Sequence, residues 1–119
     1  MKHYLMLLAG LLFVLVCICG CVSVDAEDPV YVNGNLTTII HYEGDVRDVW
    51  VQHTIYLVDG LSMTELNTSI LPYTFSTGRQ ICEIPVDLSP GSYKVHLYVL
   101  GWENSSDRIG AFVRTFEVI

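Results

Sequence analysis

Basic side chains are scarce in this chain. Its 119 residues hold 6 Lys and Arg against 13 Asp and Glu, a formal net charge of −7 at pH 7. An acidic surface repels phosphate backbones, so nucleic acid is excluded as a partner class. Cysteine is nearly absent beyond the first stretch: after Cys21 only Cys82 remains, and a lone thiol builds no disulfide framework. Helical periodicity is missing from Asp25 onward, where the apolar residues recur with a period of two. Catalytic signatures are missing as well: there is no GxSxG, no glycine-rich phosphate loop and no HExxH. The carboxylates fall mostly in predicted turns, as solvated acids do. The chain therefore reads as non-enzymatic and without a cofactor, and its length suits one domain.

The apolar excess is concentrated at the front. Leu5 to Ile18 carries no charged residue; Lys2 precedes it, and Asp25, Glu27 and Asp28 follow. Positive before and negative after orients such a segment with its N-terminus in the cytoplasm and the remainder outside. Residues 1–20 are read as a signal peptide, 21–28 as a membrane-proximal spacer and 29–119 as the folded domain. The leader is expected to be helical. Cys17, Cys19 and Cys21 crowd its end, too closely spaced for the zinc pairs that two to four residues separate. Two other readings stay open on the residues alone. One is a retained span, since Tyr4 to Val24 is about the 20 residues that a bilayer crossing needs. The other is cleavage after Ser23 or Ala26 with full release.

The tetrapeptide Ile18-Cys19-Gly20-Cys21 resembles the lipobox of prokaryotic lipoproteins: an aliphatic residue, a small residue, Gly or Ala, then Cys. That resemblance implies cleavage before Cys21 and lipid on its sulfur. The membrane is then a partner through the N-terminal lipid or leader, and the domain stands on the outer face of the cell membrane.

Candidate strands are Val30–Val32, Leu36–Glu43, Val46–Val58, a weak one at Met63–Asn67, Arg79–Asp87, Ser92–Trp102 and Ile109–Val118. Turn signals such as Asn33-Gly34, Asp59-Gly60 and Pro90-Gly91 separate them. Seven short strands with a turn every ten residues or so predict an all-β antiparallel sandwich. The expected core is Leu36, Ile40, Trp50, Cys82, Ile84, Val86, Leu88, Tyr93, Val95, Leu97, Val99, Phe112, Phe116 and Val118. Cys82 shares parity with Ile84, Val86 and Leu88 and reads as a buried small hydrophobe. In the third strand both parities are apolar, so its inward face is undecided.

The run "DLSPGSYKVHLYVL" resembles the E–F corner and F strand of immunoglobulin-like and fibronectin-III-like domains. It implies that Tyr93 turns its hydroxyl back to the backbone a few residues upstream, and that Trp50 is buried. Val95 stands where an antibody-type domain has its second cysteine, so the likeness is to the disulfide-free branch.

Three of the four asparagines stand in sequons, Asn35-Leu36-Thr37, Asn67-Thr68-Ser69 and Asn104-Ser105-Ser106. All three fall at predicted turns or strand ends, where a glycan projects without disturbing a core. Lipobox and sequons together point to an archaeal surface protein. In the sixth strand Lys94, His96, Tyr98, Leu100 and Trp102 have outward parity, and Tyr98 and Trp102 are the expected contacts with a protein or glycan partner. The expected function is that of a membrane-anchored cell-surface protein, a binding or structural module of the envelope. One alternative is a metal- or ligand-binding receptor that uses the strand histidines His41, His53 and His96, although no metal ligand is assigned. His41 with Glu43, or His53 itself, offers a pH-sensitive contact. The other alternative is a secreted inhibitor or effector without an anchor.

Overall fold

A computed structural model describes residues 22–119. Cys17, Cys19 and Cys21, with the rest of the leader, lie outside the described residues. The fold is all-β, in two antiparallel sheets packed as a sandwich. Eight strands follow one another: β1 (Ser23–Ala26), β2 (Val30–Val32), β3 (Asn35–Glu43), β4 (Arg47–Asp59), β5 (Ser62–Phe75), β6 (Gly78–Pro85), β7 (Gly91–Gly101) and β8 (Arg108–Val118). The smaller sheet has β3 in the middle, β6 on one side, and β1 and β2 in turn along the other; the larger runs β5-β4-β7-β8.

Local chemistry sets the hairpins. Val32 pairs with Asn35 across Asn33-Gly34, and both turn residues have positive φ, 53° and 79°. That is the two-residue turn whose twist matches the flanking strands, and Asn-Gly is the dipeptide that best tolerates it. Asp59 pairs with Ser62, with Gly60 at φ 60° taking the left-handed position of a second tight turn.

Alternation then decides the layers. Leu36, Thr38, Ile40 and Tyr42 of β3 face inward, as do Tyr93, Val95, Leu97 and Val99 of β7. The undecided strand resolves to Val49, Val51, His53 and Ile55 inside. The core forms two clusters. One gathers Ile40, Tyr42, Val49, Val51, Phe75, Cys82, Leu97 and Val99; the other gathers Leu36, Ile55, Ile84, Leu88, Tyr93, Val95 and Phe116. Thr38 stands between Leu36 and Ile40, and His53 between Val51 and Ile55. Both are fully buried at the boundary between clusters, and neither side chain has a hydrogen-bond partner.

The expected tyrosine corner is present: the Tyr93 hydroxyl donates to the carbonyl of Ser89, and its ring stacks on Phe116 at 5.3 Å. Tyr31 is a second tie on the same crossing. Its hydroxyl donates to the Val86 carbonyl at 2.8 Å and accepts from the Leu88 amide at 3.1 Å. Tyr93→Phe is expected to cost about 1 kcal/mol, the net worth of one hydrogen bond, measured by urea unfolding.

Four expectations are corrected. Trp50 is not in the core, because the inward parity of β4 belongs to Val49 and Val51 and turns the indole to the outer face. Val86, Phe112 and Val118 are only partly buried and pack on the cluster margins. The weak strand at Met63–Asn67 is the start of a 14-residue strand, which runs on through Pro72 because β5 is an edge and a proline there has no ladder bond to lose on its open side. The spacer segment 21–28 contains β1, held against β3 and clamped to β8. The clamp is Arg114, whose Nε–H donates to the Ala26 carbonyl at 2.7 Å and whose Nη2 lies 3.2 Å from Asp25 Oδ1.

Register also gives the sandwich two distinct poles. Ser23 pairs with Glu43, Arg47 with Phe75, and Val49 with Gly101. The point where the chain enters β1 therefore shares a pole with the β7–β8 loop, Trp102 included. The Asn33-Gly34 turn and the β4–β5 hairpin tip lie at the other pole.

Candidate functional site

The two outer faces differ in kind. The smaller sheet shows Thr37, His41, Glu43, Arg79 and Glu83, with Ile39 and the 58 % exposed Ile81 paired between them. The larger sheet shows aromatic and aliphatic side chains. Across its ladder Pro72, Trp50, Leu100 and Arg108 form one row, and Ile70, Gln52, Tyr98 and Ala111 the next. His96, paired with Val113, continues the face, and its ring lies 4.7 Å from that of Tyr56. Trp102 is 45 % exposed, Ile70 52 % and Val113 52 %, while Leu100 and Thr54 on the same side are buried beneath their neighbours. Large apolar groups left in water together mark a contact surface more often than scattered ones do.

Trp50 and Trp102 build its fixed end. Their rings stack at 4.6 Å with 3° between planes, and Trp50 Nε1–H donates to the Trp102 carbonyl at 3.3 Å. The register shift between Val99 and Leu100 ends the regular ladder just before this point. A shallow groove of about 470 Å³ is lined by Trp50, Gln52, Ile70, Leu100, Trp102, Glu103 and Ser105. Tyr98 sits in the middle of the face with the Arg108 guanidinium 4.8 Å above its ring, a cation–π contact that presents charge over an aromatic. The arrangement offers stacking planes with amide, carboxylate and guanidinium groups beside them.

Tyr98 and Trp102, expected from parity in one strand, thus lie on one surface. Trp50 and Ile70 complete it and were missed, Trp50 because it was assigned to the core and Ile70 because it lies beyond the expected end of its strand. The histidines are not brought together. His41 is on the outer face of the smaller sheet, His53 is inside the core, and His96 is on the outer face of the larger sheet. A shared metal is ruled out for the three, and the described residues hold no cluster of three or more His, Cys, Asp and Glu. His41 Nε2 meets Glu27 Oε2 at 2.7 Å rather than Glu43, which points along the same strand face two residues on. Cys82 is fully buried, and burial pushes its thiol up to about 12, so it is inert at neutral pH.

Asn35 is exposed at the start of β3, and Asn104 is exposed in the β7–β8 loop. Asn67 departs from expectation: it lies inside β5, half-buried, paired with Ile55 on the inward parity. No protein-family model matches the chain, and no curated protein matches it.

Proposed function

We propose that this chain is a non-enzymatic, membrane-anchored cell-surface protein whose sandwich serves as a binding or structural module of the cell envelope. The observation that carries the binding role is the outer face of the larger sheet, with the stacked Trp50–Trp102 pair, Tyr98 and Ile70 on one surface. Isolated apolar residues on a surface need no explanation, but a contiguous aromatic face does. The anchoring role rests on the apolar leader and the Cys19-Gly20-Cys21 end. Anchoring at Cys21 leaves only Val22 before β1, so the body would sit directly on the membrane surface. The Trp102 pole would then be membrane-proximal, which favours a partner in the same envelope over one on a facing cell. The strand order and the tyrosine corner support an immunoglobulin-like class for the domain, and lipobox and sequons support an archaeal source.

Photo-crosslinking on intact cells tests the contact face. Benzoylphenylalanine at Tyr98 is expected to give a discrete adduct that Trp102→Ala abolishes, and the same group at Glu83, on the opposite outer face, is expected to give none. Equal adducts from both positions would reject the face as the contact surface.

A further inference from the structure

We infer that Asn104 carries an N-linked glycan whose first sugar lies on the open face of Trp102. This inference rests on the extracytoplasmic placement proposed above, because glycan transfer to a sequon occurs on that side of the membrane.

The spacing is the first observation. In Trp102-Glu103-Asn104-Ser105-Ser106 an aromatic ring stands two residues before the acceptor. The corresponding positions before the other sequons hold Asn33 and Glu65, which offer no aromatic plane. Geometry is the second. The Asp107 amide donates to the Asn104 carbonyl at 3.0 Å, and the Gly101 amide donates to the Asp107 carbonyl at 2.8 Å, so the loop is pinned at its base. The Ser106 amide donates to Asn104 Oδ1 at 3.0 Å. That bond engages the oxygen and leaves Nδ2, the atom that takes the sugar, without a partner among the described residues and in solvent. Asn104 and Trp102 border one open depression of about 390 Å³ with Arg47, Asp48 and Asp107.

The third observation is the state of the indole. One face of Trp102 is stacked on Trp50, and the residue remains 45 % exposed. A pyranose ring has a face of C–H groups with its hydroxyls at the rim. Laid on an indole, it buries apolar surface against the negative π-face, while the hydroxyls reach water and nearby carboxylates. The occupant of this part of the face is then covalently supplied, two residues away. A partner of the outer face would meet protein at Tyr98 and Ile70, and sugar at Trp102.

The transfer step uses a lipid-linked oligosaccharide as donor. Nδ2 attacks the anomeric carbon; the N–C bond forms as the C–O bond to the lipid phosphate breaks. The phosphate leaves with the electron pair, and Nδ2 gives one proton to a base of the transferase.

The test expresses the full chain in a host that N-glycosylates secreted proteins, beside a reporter glycoprotein. Peptide mapping after enzymatic release of glycans in heavy-oxygen water is expected to label Asn104. Ser106→Ala removes the acceptor sequence but keeps the backbone amide that holds Oδ1. The glycosylated chain should melt about 4 °C above Ser106→Ala, a shift of ordinary size for one added contact in a domain of this length. That gap should vanish in Trp102→Ala and return in Trp102→Phe. Acrylamide quenching of tryptophan fluorescence in the unmutated chain, which needs no variant to fold, should rise when the glycan is removed. An empty Asn104 beside an occupied reporter, an equal melting gap in Trp102→Ala, or unchanged quenching would each overturn the inference. Fractionation in parallel separates two failures. Chain in the cytosol sinks the placement and this inference with it, whereas membrane-bound chain with an empty Asn104 sinks this inference alone.

Discussion

Lowering the pH from neutrality to 4 is expected to remove about 3 kcal/mol of stability through His53 alone. The imidazole is 1 % exposed, sits at the boundary between the two core clusters, and has no hydrogen-bond partner on either nitrogen. Burial disfavours the charged ring and lowers its pKa from 6.5 to about 4. Between those values the unfolded chain binds the proton and the folded chain does not, so stability rises with pH across that interval. The contribution is complete above 6.5, declines as the pH falls through the interval, and loses nothing more below about 4. At about 1.4 kcal/mol for each pH unit, the interval corresponds to about 3 kcal/mol. Cys82, in the same core, stays neutral throughout because burial holds its thiol near 12. His53→Leu should flatten this part of the profile and raise stability at pH 7 by about 1–3 kcal/mol, since two unpaired buried nitrogens are removed. Urea unfolding at half-unit pH steps reads both effects. Parallel profiles for the two chains would show that His53 is not held neutral by burial.

Phe75→Ala is expected to cost about 3–5 kcal/mol, the range for deleting a buried aromatic ring. Phe75 is the largest fully buried side chain and closes β5 onto the first core cluster, with ring centroids 5.5 Å from Tyr42 and 6.4 Å from Tyr73. The matched control is Ile70→Ala on the outward parity of the same strand. It should stay within about 0.5 kcal/mol, as exposed substitutions do. Thermal or urea unfolding decides the comparison, and equal small losses would mean that β5 does not belong to the core layer.

Strands with clean alternation and sharp turns were legible from the residues. Val30–Val32 matches β2, and the Asn33-Gly34 turn fixed the register of β2 on β3. Tyr93 announced its corner because Pro90-Gly91 and the apolar alternation after it are local signals. β5 was legible only at its start, because Pro72 and a run of small polar residues hide an edge strand whose stability comes from β4. β1 was hidden for a similar reason: Ser23–Ala26 has little strand propensity of its own, and it is held by β3 and by Arg114, 88 residues away from Ala26. Trp50 failed because both parities of β4 are apolar, and only the packing of two sheets decides which side is inside. The aromatic face was half legible. Tyr98 and Trp102 share a parity in the strand expected over Ser92–Trp102, although β7 ends at Gly101 and Trp102 opens the following loop; Trp50 and Ile70 join them across ladders that no single stretch of sequence displays.

The most direct measurement is the intact mass of the chain extracted from the membrane fraction of its own cells with detergent. The predicted result is a species lacking residues 1–20, heavier than residues 21–119 by lipid on Cys21 and by sugar. A full-length, unmodified chain in the cytosolic fraction would contradict the anchored, outward-facing domain on which the proposed function depends.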